Sequence, residues 1–242
     1  MWSKMNQLYK DYIRTQLQLS VNTDFSSKCL LQCVYCMRQE WSQDKGATGR
    51  DKVKISGDMP FEDFKKIGKT FPQMHLCGQI SDPIYHPHLL QYLQYASDNN
   101  IHIQIHTNGT GKSNQYWKDI YSIKKRMRFV FGIDGIDQKT VNLHRVGQNF
   151  HQSFKAMLLG SQSHHKITWQ FIPFQHNEHQ IKRAKDIASK YNIQFLILKS
   201  NRTEDRNIFL HNKKTRLDWI QLPNDPNLSV SRGNPLSIKE YM

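Results

Sequence analysis

Short apolar runs recur along the chain, and the spacing within them switches between two periods. Strict alternation, or an apolar run of only a few residues, predicts a strand, whereas apolar residues returning every three or four positions predict a helix. Residues 15–21 (TQLQLSV), 73–77, 101–106 (IHIQIH), 128–133 (RFVFGI), 167–172 and 193–198 have the first character. Residues 60–70, 88–98, 150–159 and 178–191 have the second. Strands that alternate with helices describe repeated β-α units and a parallel sheet, hence an α/β fold. The third and fourth strands run into turn signals, Thr107-Asn108-Gly109 and Asp134-Gly135. Six such steps make residues 1–198 one core. From Lys199 the pattern dissolves into Asn, Asp, Pro and charged residues, with only residues 216–222 (RLDWIQL) appreciably apolar, so 199–242 reads as an irregular, partly packed tail.

Composition agrees with a single core. A chain of 242 residues, 38% of them hydrophobic, can bury one α/β domain of barrel size. No apolar stretch approaches the roughly 18 residues of a membrane span, so no membrane partner is expected. The first residues, Met-Trp-Ser-Lys-Met-Asn-Gln-Leu-Tyr-Lys, hold no apolar signal region, and a cytoplasmic location is the expectation. The net charge of +14 is uneven, because residues 101–200 carry 15 Lys/Arg against 5 Asp/Glu. Lys124-Lys125-Arg126-Met127-Arg128 and the group Lys182, Arg183, Lys185 and Lys190 read first as solvated helix faces, since no aromatic-interleaved motif accompanies them. An RNA-binding surface along this basic segment is the alternative.

The chemistry is concentrated in Cys29-Leu-Leu-Gln-Cys33-Val-Tyr-Cys36. This C-x₃-C-x₂-C spacing offers three thiolates to one metal centre and withholds a fourth. Three ligands leave a position open, which separates catalytic from structural metal sites. Structural zinc would need a fourth ligand, and the remaining thiol, Cys77, lies 41 residues past Cys36 without a second paired spacing. A disulfide framework suits neither the length nor four cysteines.

Several loops together resemble the radical S-adenosylmethionine (radical SAM) enzymes over residues 15–198. Cys29, Cys33 and Cys36 match the family's cluster motif, with the aromatic Tyr35 before the third cysteine. Ser81-Asp82-Pro83-Ile84-Tyr85-His86-Pro87 is similar to the loop after the second strand, usually Gly-Gly-Glu-Pro followed by His-Pro, with Asp82 in place of Glu and Ile80 and Ser81 in place of the glycines. Thr107-Asn108-Gly109 resembles the segment after the third strand. Gly132-Ile133-Asp134-Gly135 resembles the end of the fourth, with glycine where serine is common, and Arg145 sits where many members carry an arginine. Phe174-Gln175-His176-Asn177-Glu178 looks like a helix start of peptide-modifying members, and Asn177 is a plausible N-cap.

The resemblance implies a partial (β/α)6 TIM-like barrel with parallel strands and one oxygen-sensitive 4Fe-4S cluster held by Cys29, Cys33 and Cys36. S-adenosyl-L-methionine would chelate the fourth iron, and one electron from an external low-potential donor would cleave it to a 5′-deoxyadenosyl radical that abstracts hydrogen from substrate. It further implies Tyr35 beside the adenine, Ser81, Asp82 and Pro83 at the amino group, Asn108 and Asp134 at the ribose or methionyl part, and Arg145 on the carboxylate. A peptide or protein side chain is the expected substrate, although the tail lacks the cysteines of an auxiliary cluster. The alternatives are nucleotide or RNA modification by the same chemistry, or a non-enzymatic metal- or RNA-binding module of the same fold. His86, His102 and His106 read as packing or hydrogen-bonding histidines, with substrate contact as the second possibility, and Cys77 as a small buried residue rather than a hydrogen-atom donor.

Overall fold

The computed structural model describes residues 19–34, Cys36, Arg38, 57–78, 81–198 and 223–225. Within them, six strands form one sheet in sequential order, every neighbouring pair parallel. The strands are β1 (Ser20–Thr23), β2 (Gln73–Cys77), β3 (His102–Thr107), β4 (Arg128–Gly132), β5 (Lys166–Phe171) and β6 (Gln194–Ile197). The helices are α1 (Phe61–Thr70), α2 (Leu89–Asp98), α3 (Asn114–Tyr121), α4 (Gln138–His144), α5 (Phe150–Ser161) and α6 (Ile181–Lys190). β1 and β6 are the two edges, so this is an open, partial (β/α)6 TIM-like barrel.

Alternation along the strands divides the sheet into two unlike faces. Met74, Leu76, Ile103, Ile105, Phe129, Phe131, Ile167, Trp169 and Phe171 are buried in the main core, together with Leu93, Trp117, Met157 and Ala184 of the helices. Most of the intervening positions are polar. Asn22, His75, Gln104, Arg128 and Lys166 align in register across β1 to β5, and in the next row His106 and Val130 are paired, as are Thr168 and Gln194. A barrel interior of ordinary type is packed with branched apolar side chains. Here the polar row is hydrogen-bonded instead, with Arg128 donating to Thr168 Oγ1 at 3.2 Å and to Gln194 Oε1 at 2.6 Å.

Most expected elements appear within two residues of their expected limits, and three differ in kind. Helices α3 and α4 were not anticipated, although Trp117, Ile120 and Tyr121 have helical spacing and Ser113 caps α3 by accepting from Tyr116 N. Residues 178–191 divide into a 3₁₀ turn, Glu178–Gln180, and α6. Asn177 stands at the N-cap position but its side chain does not cap the helix. The expected first strand is seen only from its C-terminal part, since 15–18 lie outside the described residues, as does the tail apart from 223–225.

Candidate active site

The motif residues within the described set lie at or just after the carboxyl ends of β1 to β5, where β/α folds collect their sites, except Arg145, which follows α4. The cysteine loop follows β1 and is tied down on two sides. Asp82 N donates to Lys28 O at 2.9 Å, while Gln32 N and Val34 N donate to Val146 O and His144 O, each at 2.9 Å. The loop thus bridges the β2 loop and the α4–α5 connection, segments more than 50 residues apart in sequence.

Cys29, Cys33 and Cys36 are half-buried free thiols. Burial pushes Cys29 up to about 11, and the Asp82 carboxylate adds to the rise. Burial pushes Cys33 up to about 12 against the opposing pull of Arg145, and Cys29 and Cys36 each contribute to the rise. Asn108 Nδ2 donates to Cys29 Sγ at 3.8 Å. Among the described residues no three His, Cys, Asp or Glu side chains stand close enough to hold a metal ion. Three soft sulfur donors on one loop, with Asn108 donating to Cys29 and the charge of Arg145 favouring the Cys33 thiolate, nevertheless fit an anionic iron–sulfur group.

Asp82 is buried, and its carboxylate is fully engaged. Oδ2 accepts from Asn108 N and Asn108 Nδ2, both at 2.6 Å, and from Thr107 Oγ1 at 3.1 Å; Oδ1 accepts from Ile84 N at 3.2 Å. Burial raises its pKa to about 6 despite these donors. Asp82 therefore locks the β2 loop onto the β3 loop. Asn108 is the hub, since its Oδ1 also accepts from Thr110 N at 2.8 Å and Tyr85 OH at 3.3 Å.

Asp134, fully buried, plays the corresponding part after β4. Oδ2 accepts from Arg145 Nε at 2.6 Å and His144 Nδ1 at 2.7 Å, and Oδ1 accepts from Ile172 N at 2.8 Å. Burial alone would raise this carboxyl, but Arg145 and then His144 hold it below the usual carboxylate range. The same pairing offsets the burial of Arg145 and raises its pKa. The Arg145 guanidinium lies flat against Gly132, where a Cβ would meet Nη2, Cζ and Nη1 at 2.6–2.9 Å. A side chain at this position would have to push the end of Arg145 aside.

Sequence reasoning missed other members of this network. Gln148, 1% exposed, donates from Nε2 to Asn108 O at 2.6 Å and Gly132 O at 3.0 Å, joining the β3 and β4 loops. Nothing in Val146-Gly147-Gln148-Asn149 distinguishes this glutamine from a surface loop residue. His144 was visible beside Arg145 but carried no assigned role. Asn177 Nδ2 donates to Asp134 O at 3.0 Å and Ile172 O at 2.9 Å, and its Oδ1 accepts from Phe174 N at 2.6 Å, so it knots the β5 loop rather than capping the helix as expected. His86 is a structural histidine, with its Nε2 3.2 Å from Met59 O and its ring 4.4 Å from that of Phe25. His106 bonds Gln104 on the polar face, and burial lowers its pKa to about 4. Cys77 Sγ lies 3.7 Å from His75 O, and burial pushes it up to about 11. Tyr35 lies outside the described residues.

Solved structures share this fold. Streptococcus suis SuiB bound to S-adenosylmethionine superposes with a TM-score of 0.60 over 77% of this chain and 43% of its own, at 15% identity. The anSMEcpe structure with bound AdoMet gives 0.54 over 75% and 54%, at 17% identity, and methylornithine synthase (PylB) 0.53 over 74% and 52%, at 15%. The chain shares the fold of these three proteins. No family model matches it. A curated protein of Pyrococcus furiosus, the tungsten-containing aldehyde ferredoxin oxidoreductase cofactor-modifying protein, is 26% identical over 102 residues, 40% of this chain and 26% of that protein. The chain therefore spans about half or less of the length of each of these proteins.

Proposed function

We propose that the chain is a radical SAM enzyme acting on a peptide or protein side chain. Cys29, Cys33 and Cys36 would hold one 4Fe-4S cluster, and S-adenosyl-L-methionine would occupy the mouth formed by the β2 to β4 loops. When bound, these groups supply reductive cleavage of SAM to a 5′-deoxyadenosyl radical that takes a hydrogen atom from substrate. The chain's own residues bind, orient and shield. Ser81 and Pro83 present loop backbone to the SAM amino group, with Asp82 fixing that loop from behind. Asn108 donates to Cys29 and holds the β3 loop. Asp134 and His144 orient Arg145, which would bind the SAM carboxylate, and Tyr35 would lie at the adenine.

The observation that carries this reading is Arg145, held by the buried Asp134 carboxylate at the strand ends of this fold, with its charge favouring the Cys33 thiolate. A preset guanidinium binds a carboxylate without the entropy of ordering a free side chain. The peptide substrate is favoured by SuiB, whose structure with the precursor peptide SuiA also superposes at a TM-score of 0.60. The test is anaerobic reconstitution with iron and sulfide, reduction, and assay for 5′-deoxyadenosine. Wild type is expected to form it and Cys33→Ala to lose both bound iron and product. Cluster-loaded wild type that leaves SAM intact would overturn the reading.

A further inference from the structure

The loop after β5 is held from outside by a segment far along the chain. Asn224 Nδ2 donates to Glu178 Oε1 at 2.8 Å, Asn224 Oδ1 accepts from Gln175 Nε2 at 2.8 Å, and Asp225 N donates to Glu178 Oε2 at 3.3 Å. Pro223, which precedes these contacts, is buried. Between the two held positions of the loop lie His176 and Asn177. Asn177 Nδ2 donates to Asp134 O. His176 stacks on Phe174, with centroids 5.5 Å apart and planes 9° from parallel, and the Phe174 ring in turn lies 4.6 Å from that of His144. Both ring nitrogens of His176 are shut off from solvent, and neither has a hydrogen-bond partner among the described residues. The ring is neutral, since burial lowers its pKa to about 4, so it keeps one donor and one acceptor unmet.

Two tendencies oppose each other in this loop. Water would supply both hydrogen bonds that His176 lacks, which favours opening. The bonds of Asn224 and Asp225 and the burial of Pro223 favour closure, because they form only when the loop lies where it does. We propose that residues 223–225 are a strap across the β5 loop, and that Asn224 and Glu178 are positioning residues for S-adenosyl-L-methionine, acting through Asp134 on Arg145. This rests on the proposed binding of the SAM carboxylate by Arg145. Each step of the path is a contact: Asn224 with Gln175 and Glu178, Asn177 Nδ2 and Ile172 N with Asp134, Phe174 with His144, His144 with Asp134, and Asp134 with Arg145. A loop that opens releases Asp134 from its donors in the β5 segment and leaves the guanidinium less firmly preset.

The test compares reconstituted wild type with Asn224→Ala, with Asn224→Ala/His176→Phe, and with Asn224→Ala placed in an Arg145→Lys background. Equilibrium dialysis gives the Kd for SAM, diethylpyrocarbonate labelling with mass spectrometry reads the exposure of His176, and hydrogen exchange reads residues 172–178. Asn224→Ala should bind SAM about fivefold more weakly, label faster at His176 and exchange faster over the loop, with iron content unchanged. Adding His176→Phe keeps a stacking ring and removes the unmet polar atoms, so affinity should return. In the Arg145→Lys background, Asn224→Ala should cost no further affinity. Unchanged SAM affinity or unchanged His176 labelling in Asn224→Ala would overturn the proposal, as would a full fivefold loss in the Arg145→Lys background. Where Arg145→Lys fails to fold, a charge pair decides: Asn224→Asp, set against Glu178, should weaken SAM binding, and added Glu178→Gln should restore it, whereas no restoration counts against the strap. Cluster-loaded wild type that binds no SAM would strike the Arg145 reading instead, and labelling and exchange would still decide whether the strap closes the loop.

Discussion

Two buried aspartates stand after β2 and β4, on either side of β3, in surroundings of opposite kind. Asp82 is held by neutral donors, two backbone N–H groups, an amide and a hydroxyl, and burial leaves its pKa raised to about 6. Asp134 is held mainly by Arg145 and His144, which more than offset burial and keep it low. The difference separates two uses of one residue type. Neutral donors around Asp82 let it shape a loop at the expense of an unfavourably buried charge. Cations around Asp134 turn its carboxylate into the positioning element for a guanidinium beside Cys33.

The largest test of this contrast is Asp134→Ala. It strands Arg145 in a buried site without its counter-charge, and unfolding free energy measured by urea denaturation should fall by about 3–5 kcal/mol. Asp82→Asn keeps shape but loses acceptor capacity toward four donors, with an expected loss of about 1–3 kcal/mol. The reverse ranking would break the comparison.

Acid titration of the same variants sharpens it through opposite signs. The Asp82 proton is bound more tightly folded, at about 6, than unfolded, at about 3.9, so wild type gains stability relative to Asp82→Asn as pH falls across that window. Asp134 is depressed, so the stability it contributes is complete above its unfolded value and is lost only as pH falls through its lower folded value. Parallel pH curves for the two variants would show that their surroundings are not distinct.

Gly132→Ala acts on the Asp134 side alone. The added methyl displaces the far end of Arg145, which can shift, so a cost of about 1 kcal/mol is expected together with a raised KM for SAM and little change in kcat. Cys77→Ala should have the smallest effect, below about 1 kcal/mol, with cluster loading intact, as iron analysis and thermal melting will show.

Much of this arrangement was legible in the chain. The alternating run at 101–106 and the short run at 128–133 located β3 and β4 because alternation and β-branched or aromatic content are local properties. The cysteine spacing and Arg145 were visible for the same reason, as residue types at characteristic separations. Gln148 and the reversed Asn177 were not, because their roles come from bonds to Asn108, Gly132 and Asp134, which are close only after folding. Helix α3 was passed over because eight residues carry a weak periodic signal, and its helicity is secured by burying Trp117 and Ile120 on the sheet.

By itself, the chain's pattern determined a six-step β/α core, a three-thiol loop after the first strand and polar turns after the others, since each follows from spacing along the backbone. Only the tertiary structure decided what those turns do. Burial removes water as an alternative partner for Asp82 and Asp134, so each carboxylate is committed to whichever donors the fold brings to it: an amide and a hydroxyl in one case, an arginine beside the cysteines in the other.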